Sequence, residues 1–330
     1  MSRRTSLTLS GTLLLALALP LALPALAQAP ETFPTRQVTL VTPYPPGGLA
    51  DATARQLSNR LSALWKQTVV VDTRPGANGN VAAGLVAKSA PDGYTLLFAI
   101  PEALGITNAS GANVGFDPAA DLTPVALVAE SSTVLIVGVD SPHKSFADFM
   151  AFAKANPGKV TFGSQGQGSQ FHLALERLKL MSGTDIVHVP YKGAAPALTD
   201  LLGGRIDAMI ATTTLASPNV KSGKVRVLAV TSGERLAQFT GVPTVAESGF
   251  AGFVYPVGLG IFVRAGTPRP LVDRLNADIR KVMHEPDFLQ ILAQSATTTT
   301  NLGAAEYQQR WAKEAQEIAQ VISKANIKFE

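Results

Sequence analysis

The side chains able to do chemistry gather at two glycine-rich turns of one design, each between a β-branched run and a helical pattern. The first, VTLVTPYPPGGLADATARQL (Val38–Leu57), breaks its apolar run at Pro43, Pro45 and Pro46 and passes through Gly47-Gly48. An apolar stripe at Ala50, Ala54, Leu57, Leu61 and Leu64 follows at three- and four-residue spacing. The second, VTFGSQGQGSQFHLALERL (Val160–Leu178), passes Gly163-Ser164-Gln165-Gly166-Gln167-Gly168-Ser169 before a stripe at Phe171, Ala174, Leu175 and Leu178. Glycines leave backbone N–H groups uncovered at a helix N-terminus, where the first amides lack intrahelical partners and carry the positive end of the dipole. That suits an anion. The first turn has no Lys after its glycines, as a phosphate-cradling P-loop needs, and no G-x-G-x-x-G. An ordinary strand-to-helix connection explains either turn alone; the recurrence favours a pair of anion sites.

Ser164 and Ser169 add hydroxyls to the second turn, and Ser169 is a natural N-cap. His172 falls in the first helical turn, where the dipole disfavours a charged imidazole, so a neutral, hydrogen-bonded ring is expected. A Ser/His nucleophile pair is the catalytic alternative. The nucleophile elbow G-x-S-x-G fails, because Phe162 stands where its first Gly belongs. In IVHVPYKGAAPALTDLLGGRIDAMI, His188, Tyr191 and Lys192 cluster before a turn at Gly193. The plain account has His188 and Tyr191 packed, Lys192 solvated and Asp207 hydrogen-bonding within the fold. Arg74 could clamp a carboxylate or serve its own turn. His143 and His284 read as exposed, and no His/Asp/Glu spacing resembles a zinc or calcium site.

These turns must be positioned by the elements around them. Strands are expected at Thr68–Asp72, Tyr94–Ala99, Val125–Val128, Val134–Val139, Ile186–Val189, Ile206–Ala211 and Val225–Val230. Helices are expected at Val81–Lys88, Phe146–Ala155, Ser169–Met181, Pro196–Leu202, from Thr267-Pro268 to Val282, and at Ala304–Lys324. In the last of these, Tyr307, Trp311, Ile318 and Val321 mark the buried face. Short apolar strands between amphipathic helices mean an α/β fold, with sheets expected to be largely parallel. No long linker appears, so a domain boundary must be a crossing of strands.

Met1–Arg4 is short and basic, Leu7–Leu26 is apolar, and Ala25-Leu26-Ala27 supplies small residues for cleavage. Residues 1–27 therefore read as a secretory signal peptide, cut before Gln28. A membrane anchor competes, since the run approaches the ~20 residues of a span, but Pro20, Pro24 and the small-residue exit favour cleavage. Arg3-Arg4 resembles a twin-arginine signal; Ser6, where a bulky residue is usual, favours general secretion. The chain has 330 residues and no cysteine, which excludes a lipid-anchored cysteine, disulfides and thiol chemistry. With 46% hydrophobic and 16% charged residues, it has room for two packed domains. Removing Arg3 and Arg4 from the 28 basic residues leaves 26 against 24 acidic, a charge of +2. No basic cluster exceeds two adjacent residues, so nucleic acid is not an expected partner.

VTPYPPGGLAD, RPGANGN, APDGYTL, GSQGQGSQFHLA, HVPYKGAAPALTDLLGGRID and VPTVAESG occur in an order that resembles the tripartite tricarboxylate transporter substrate-binding receptors, the Bug family. The likeness runs from about Phe33 to the end of the chain. It implies a two-lobed, Venus-flytrap fold of the type II periplasmic-binding-protein kind, with a ligand cleft between the lobes. Residues 28–128 plus 252–330 would form one lobe and 129–251 the other. It also implies a periplasmic, monomeric, non-enzymatic receptor without cofactor or metal, passing a small carboxylate to membrane components of a transporter. A solute-sensing receptor for signalling is the alternative within the same fold. The carboxylate would be held by backbone amides and water at the two turns. This implicates Tyr44, Pro46, Gly47, Gly48 and Asp51 in one lobe, and Ser164, Gln165, Gly168, Ser169, Gln170, His172 and Tyr191 in the other.

The chain departs from the family pattern at three places. Ala211-Thr212 replaces a common Asp-Asn pair, which makes Thr212 a candidate contact. Gly258 stands where many relatives carry Trp, implying a wider pocket. Pro101-Glu102 replaces small polar residues. Glu102 would repel a second carboxylate or pair with an ammonium if it faced the cleft; otherwise it is a solvated helix start. Dicarboxylates, amino acids and aromatic acids all remain open as ligands.

Overall fold

A computed structural model describes residues 33–329 apart from Gly48 and Gln294; the expected signal peptide lies outside the described residues. The chain opens with β1 (Val38–Thr42), α1 (Leu49–Trp65), β2 (Val69–Thr73), α2 (Asn80–Ala87), β3 (Thr95–Ala99), α3 (Pro101–Ser110), α4 (Pro118–Asp121) and β4 (Leu122–Ser131). It continues with β5 (Thr133–Gly138), α5 (Phe146–Ala155), β6 (Val160–Ser164), α6 (Gln170–Ser182), β7 (Ile186–Pro190), α7 (Ala194–Leu202), β8 (Ala208–Thr212), α8 (Thr213–Lys221) and β9 (Val225–Val230). It closes with β10 (Val257–Arg264), α9 (Arg269–Met283), α10 (Pro286–Ala293), β11 (Thr297–Thr299) and α11 (Ala304–Lys324).

Two sheets result, ordered β11-β4-β10-β3-β1-β2 and β7-β6-β8-β5-β9. The largely parallel expectation is corrected. Among the described residues, β10 runs antiparallel to β3 and β4, β11 to β4, and β5 to β8 and β9. The reason is the crossing. Only Ser132 separates β4 from β5, so the chain runs straight from one sheet into the other. Each strand that enters a sheet at the crossing starts where its neighbour ends, β5 at Thr133 opposite Thr212 of β8 and both β10 and β11 opposite Ser131 of β4, and so runs antiparallel to it.

The apolar stripes bury as their spacing demands. Ala54, Leu57 and Leu61 of α1 join Leu271, Leu275 and Ile279 of α9 against one face of the first sheet. Tyr307 and Trp311 of α11 cover the other face, whereas Ile318 and Ile322, a turn or two later, pack into the core of the second sheet. Ile322 takes the buried position expected of Val321, which is half-buried. Helices α4, α8 and α10 and strands β10 and β11 were not among the expected elements, and α3 was anticipated only as a helix start at Glu102. Their sequence signals are broken by Gly258 and Gly260 in β10 and by Pro218 inside α8.

Register fixes where the two turns lie. β4 ends at Ser131 and β3 runs parallel to it through β10, so the C-terminal ends of β1 and β3 share the edge from which the chain crosses. In the second sheet Thr133 of β5 pairs with Thr212 of β8, and β6 is parallel to β8. Ser164 therefore lies on the edge facing back toward that crossing.

Asp207 has the fold role expected of it. Its Oδ2 accepts from the Thr161 N–H at 2.8 Å and the Thr161 hydroxyl at 2.7 Å. Asp207→Ala should cost about 1–3 kcal/mol by leaving these donors unpaired, with Asp207→Asn milder. Urea unfolding midpoints would measure both, and equal midpoints for Asp207→Ala and wild type would refute the role.

Candidate ligand-binding site

The first turn is preset by its own acid. Asp51, the third residue of α1, reaches back so that Oδ2 accepts from the Gly47 N–H at 3.1 Å, while Oδ1 accepts from Arg55 Nε at 2.9 Å. The Asp51 side chain is 6% exposed. The Arg55 hydrogen bond, aided by the Gly47 amide, holds it below the usual carboxylate range against the opposing effect of burial. Gly47 has φ +100° with open space at its Cβ position, so glycine is required there by backbone conformation alone. Tyr44 packs on the first core, and its hydroxyl accepts from the Ile100 N–H at 2.7 Å, tying the ends of β1 and β3 together. Burial pushes its phenol well up, so it stays protonated. Pro46 and Gly47 are exposed; Gly48 lies outside the described residues.

The second turn is held by stacked imidazoles. The His172 and His188 rings lie 3.7 Å apart and 7° from parallel. His172 Nδ1 accepts from the Gly168 N–H at 3.0 Å, which places its proton on Nε2, 3.8 Å from Glu176 Oε1. Glu176 in turn holds Lys179 Nζ at 2.8 Å. His188 Nε2 lies 2.6 Å from Ser164 Oγ, which also accepts from the Gly166 N–H at 3.1 Å. Burial, then the nearby Lys179 charge, lowers His172 to about 4. Burial, then His172 and Lys179, lowers His188 to about 4. Both rings are neutral at pH 7. The expected neutral His172 is present, with burial rather than the helix dipole as its main cause.

Ser169 caps α6, its Oγ accepting from the His172 N–H at 3.3 Å. Gln165 and Gln170 are half-buried. Gly168 is buried, with φ +68° and the Phe329 ring where its Cβ would be. Tyr191 donates its backbone N–H to Ser164 O at 3.1 Å and its hydroxyl to Asp200 Oδ2 at 2.8 Å, so the phenol is committed to α7. Thr212 ends β8 at the crossing, opposite Thr133. The serine–histidine contact is therefore with His188, not His172. Ser164 is fully buried and cannot present its Oγ to a substrate carbonyl, which disfavours the nucleophile account.

Glu102 is neither a solvated helix start nor a free charge. Its Oε1 accepts from the Gly258 N–H at 3.2 Å, and Oε2 is buried without a partner. Burial, reinforced by Glu314, raises it to about 8. The space expected at Gly258 is filled as well, with Pro101 Cδ and Glu102 Oε1 at 3.1 and 3.2 Å from a Cβ built there. A cavity of about 990 Å³ does lie beyond, lined by Glu102, Glu130, Ser232, Tyr255, Arg310 and Glu314 among others; apart from Glu102, it touches none of the expected ligand residues. Arg74 is spent on Asp72 at 3.0 Å. His143, expected exposed, is buried against Phe149 and Phe152.

His188 and Glu176 act at the second turn but were not among the expected ligand residues. The parallel register that pairs Phe162 with His188 and Ser164 with Pro190 brings His188 to the turn, which no local spacing announces, whereas Glu176 follows His172 by four residues on the same helix, a spacing the sequence does carry.

A profile described as "Tripartite tricarboxylate transporter family receptor" matches residues 53–327. The "UPF0065 protein in tcbD-tcbE intergenic region" of Pseudomonas sp. (strain P51) is 40% identical over 281 residues, 85% of this chain and 83% of that protein. Among solved structures, "R. palustris Rpa4515 with adipate" is 34% identical with TM-score 0.75, covering 90% of this chain and 99% of that one. "Structure of periplasmic binding protein BugD" is 30% identical with TM-score 0.73, covering 90% and 100%.

Two opposite pH responses follow. Unfolded histidines titrate near 6.5 while folded His172 and His188 resist protons down to about 4. The unfolded state binds more protons in that window, so stability should fall as pH drops from about 6.5 to 4. His188→Gln should flatten this slope in urea melts; an unchanged slope would count against buried neutral rings. Glu102 works the other way. Unfolded, it loses its proton near 4.5, but folded only near 8, so its contribution should be lost as pH rises between these values. Glu102→Gln should remove that loss, read as a gain over wild type that grows from pH 5 to pH 8.

Proposed function

The chain belongs to the tripartite tricarboxylate transporter family of receptors, and on that premise we propose that it binds a dicarboxylate of the adipate class between its two turns. The proposed lobes are residues 28–128 with 252–330, and 129–251. The membrane components of a tripartite transporter are the proposed recipients, from a periplasmic, monomeric receptor. The observation that carries the reading is the pair of helix N-termini at the facing edges of two sheets, each with its turn already braced from within.

At α6, Ser169 satisfies the His172 amide and the Gly166 carbonyl accepts the Ser169 amide. Of the first four amides of the helix, those of Gln170 and Phe171 are left for a ligand. On this reading the first amides of α1 play the matching part, beside the Gly47 amide that Asp51 holds. Each terminus contributes about 0.3–2 kcal/mol through its dipole, and charge-assisted hydrogen bonds about 1.5–3 kcal/mol each. Two such ends can hold a dicarboxylate without an arginine. Glu102, protonated at neutral pH, does not repel it, and the adipate complex of a 34% identical protein supports the ligand class. Closure of one lobe on the other would then exclude water, as hinged receptors do.

Thermal unfolding of refolded, ligand-stripped protein with adipate tests this. Binding to the folded state should raise the melting temperature with concentration, by about 2.7 kcal/mol of added stability at a hundredfold excess over Kd. Asp51→Ala, which unbraces Gly47, should weaken adipate at least tenfold. No shift with adipate, other dicarboxylates, amino acids or aromatic acids would overturn the reading.

A further inference from the structure

Helix α11 belongs to both halves of the molecule. Tyr307 and Trp311 pack in a core of the first sheet, and Ile318 and Ile322 in the core of the second. Arg177 of α6 meets Glu317 of α11 at 3.2 Å. After Lys324 the chain does not simply run out into solvent. Asn326 takes a left-handed conformation (φ 50°), and the Ile327 N–H returns to the Ile322 carbonyl at 3.0 Å. This reversal lays Ile327 and Phe329 against the second core.

Where it lands is the second turn. Gln167 Nε2 donates to the Lys328 carbonyl at 3.1 Å. The Phe329 ring stands over Gly168, with Cε1 2.3 Å and Cδ1 2.6 Å from where a Cβ would sit. Glycine is therefore demanded twice at Gly168, by its φ of +68° and by the ring. On its other side the Gly168 N–H is held by His172. The loop, with two left-handed glycines at Gly166 and Gly168, is thus clamped between an imidazole and a phenyl ring.

We infer that Phe329 is a positioning residue for ligand capture: the segment after α11 is a strap that locks the Ser164–Ser169 loop in its binding conformation. The inference rests on the proposed carboxylate site, but its mechanics do not. A loop fixed before binding loses less conformational freedom when the ligand arrives. Unstrapped, the glycines let the loop wander, and the Gln170 and Phe171 amides lose their fixed aim. Because α11 is seated on both sheets, the strap also ties that loop to the element joining the two halves.

Hydrogen exchange and adipate binding, measured together on the full chain, decide it. In ligand-free Phe329→Ala the amides of residues 165–171 should exchange at least tenfold faster, with β1 amides unchanged. Adipate should bind at least fivefold more weakly, and Phe329→Leu should restore most of both. Unaltered exchange in Phe329→Ala would overturn the strap, whatever the affinity. Faster exchange with adipate binding equal to wild type would overturn its role in capture. Faster exchange in a protein whose wild type ignores adipate would support the strap while striking down the dicarboxylate reading.

Discussion

Everything else in this molecule depends on one buried polar knot where the two sheets join. The Thr133 hydroxyl donates to the Tyr255 carbonyl at 2.7 Å and receives the Thr231 hydroxyl. The Thr231 N–H bonds the Thr133 carbonyl at 2.8 Å, and the Tyr255 N–H bonds the Thr231 carbonyl at 2.6 Å. The outgoing strand and the returning segment are thereby fastened to each other at the crossing. Both threonines are fully buried, so these groups must be satisfied internally and the knot cannot slip without leaving donors unpaired. A second tie, the Thr213 hydroxyl to the Ser295 carbonyl at 2.8 Å, joins the start of α8 to the chain entering β11. With the crossing pinned, the sheet edges that carry the glycine turns must face each other.

The turns themselves obey the same rule of polar satisfaction, differently in each half. A glycine amide exposed for a ligand would be a floppy donor. In each turn the chain supplies an internal acceptor instead, the Asp51 carboxylate for Gly47 and the neutral His172 ring for Gly168. The cost is that these two amides are no longer available. The gain, on the proposed reading, is that the amides two and three residues further along are held in a fixed direction, which is the preorganisation that binding rewards. Stacking of His188 on His172 favours both rings staying neutral, because a proton on either would set a buried cation against its neighbour and near Lys179.

How much of this was legible depended on whether the signal was local. The run Phe146–Ala155, stopped by Asn156-Pro157-Gly158, and the stripe of Tyr307, Trp311 and Ile318 near Ala304–Lys324 were enough to find α5 and α11, because a local break and the burial of one face both act within the element. Ser169 as an N-cap and Asp207 as a fold residue were equally readable, each acting within or beside its own element. Strand direction was not, since the turn from β4 to β5 is a single residue and nothing in an apolar run encodes which way its neighbour points. The fate of Glu102 was hidden for the same reason. Its charge state is set first by burial and then by Glu314, with Glu130 adding to the rise and the Gly258 amide opposing it, and all three of these residues lie more than twenty positions away in sequence. His143 misled because flanking Pro and Ser suggest exposure while Phe149 and Phe152 close over it.

The two turns are not electrostatic equals, and this bears on how a dicarboxylate would sit. Asp51 places a negative charge at the α1 terminus, partly offset by Arg55 four residues on. That charge spends some of the dipole that would otherwise draw a ligand anion. The α6 terminus carries only neutral rings, with Lys179 and Glu176 paired further down the helix. On the proposed reading a carboxylate would be drawn more strongly to the Ser164–Ser169 side, and the first turn would serve better as a donor array closing over the far end. On the proposed reading, capture begins on the strapped loop and closure completes it, so the half with the weaker pull is the one that moves onto a ligand already held. A ligand with one carboxylate would engage the second turn alone and leave the first without an anion to close upon, which is the physical basis for preferring two carboxylates over one.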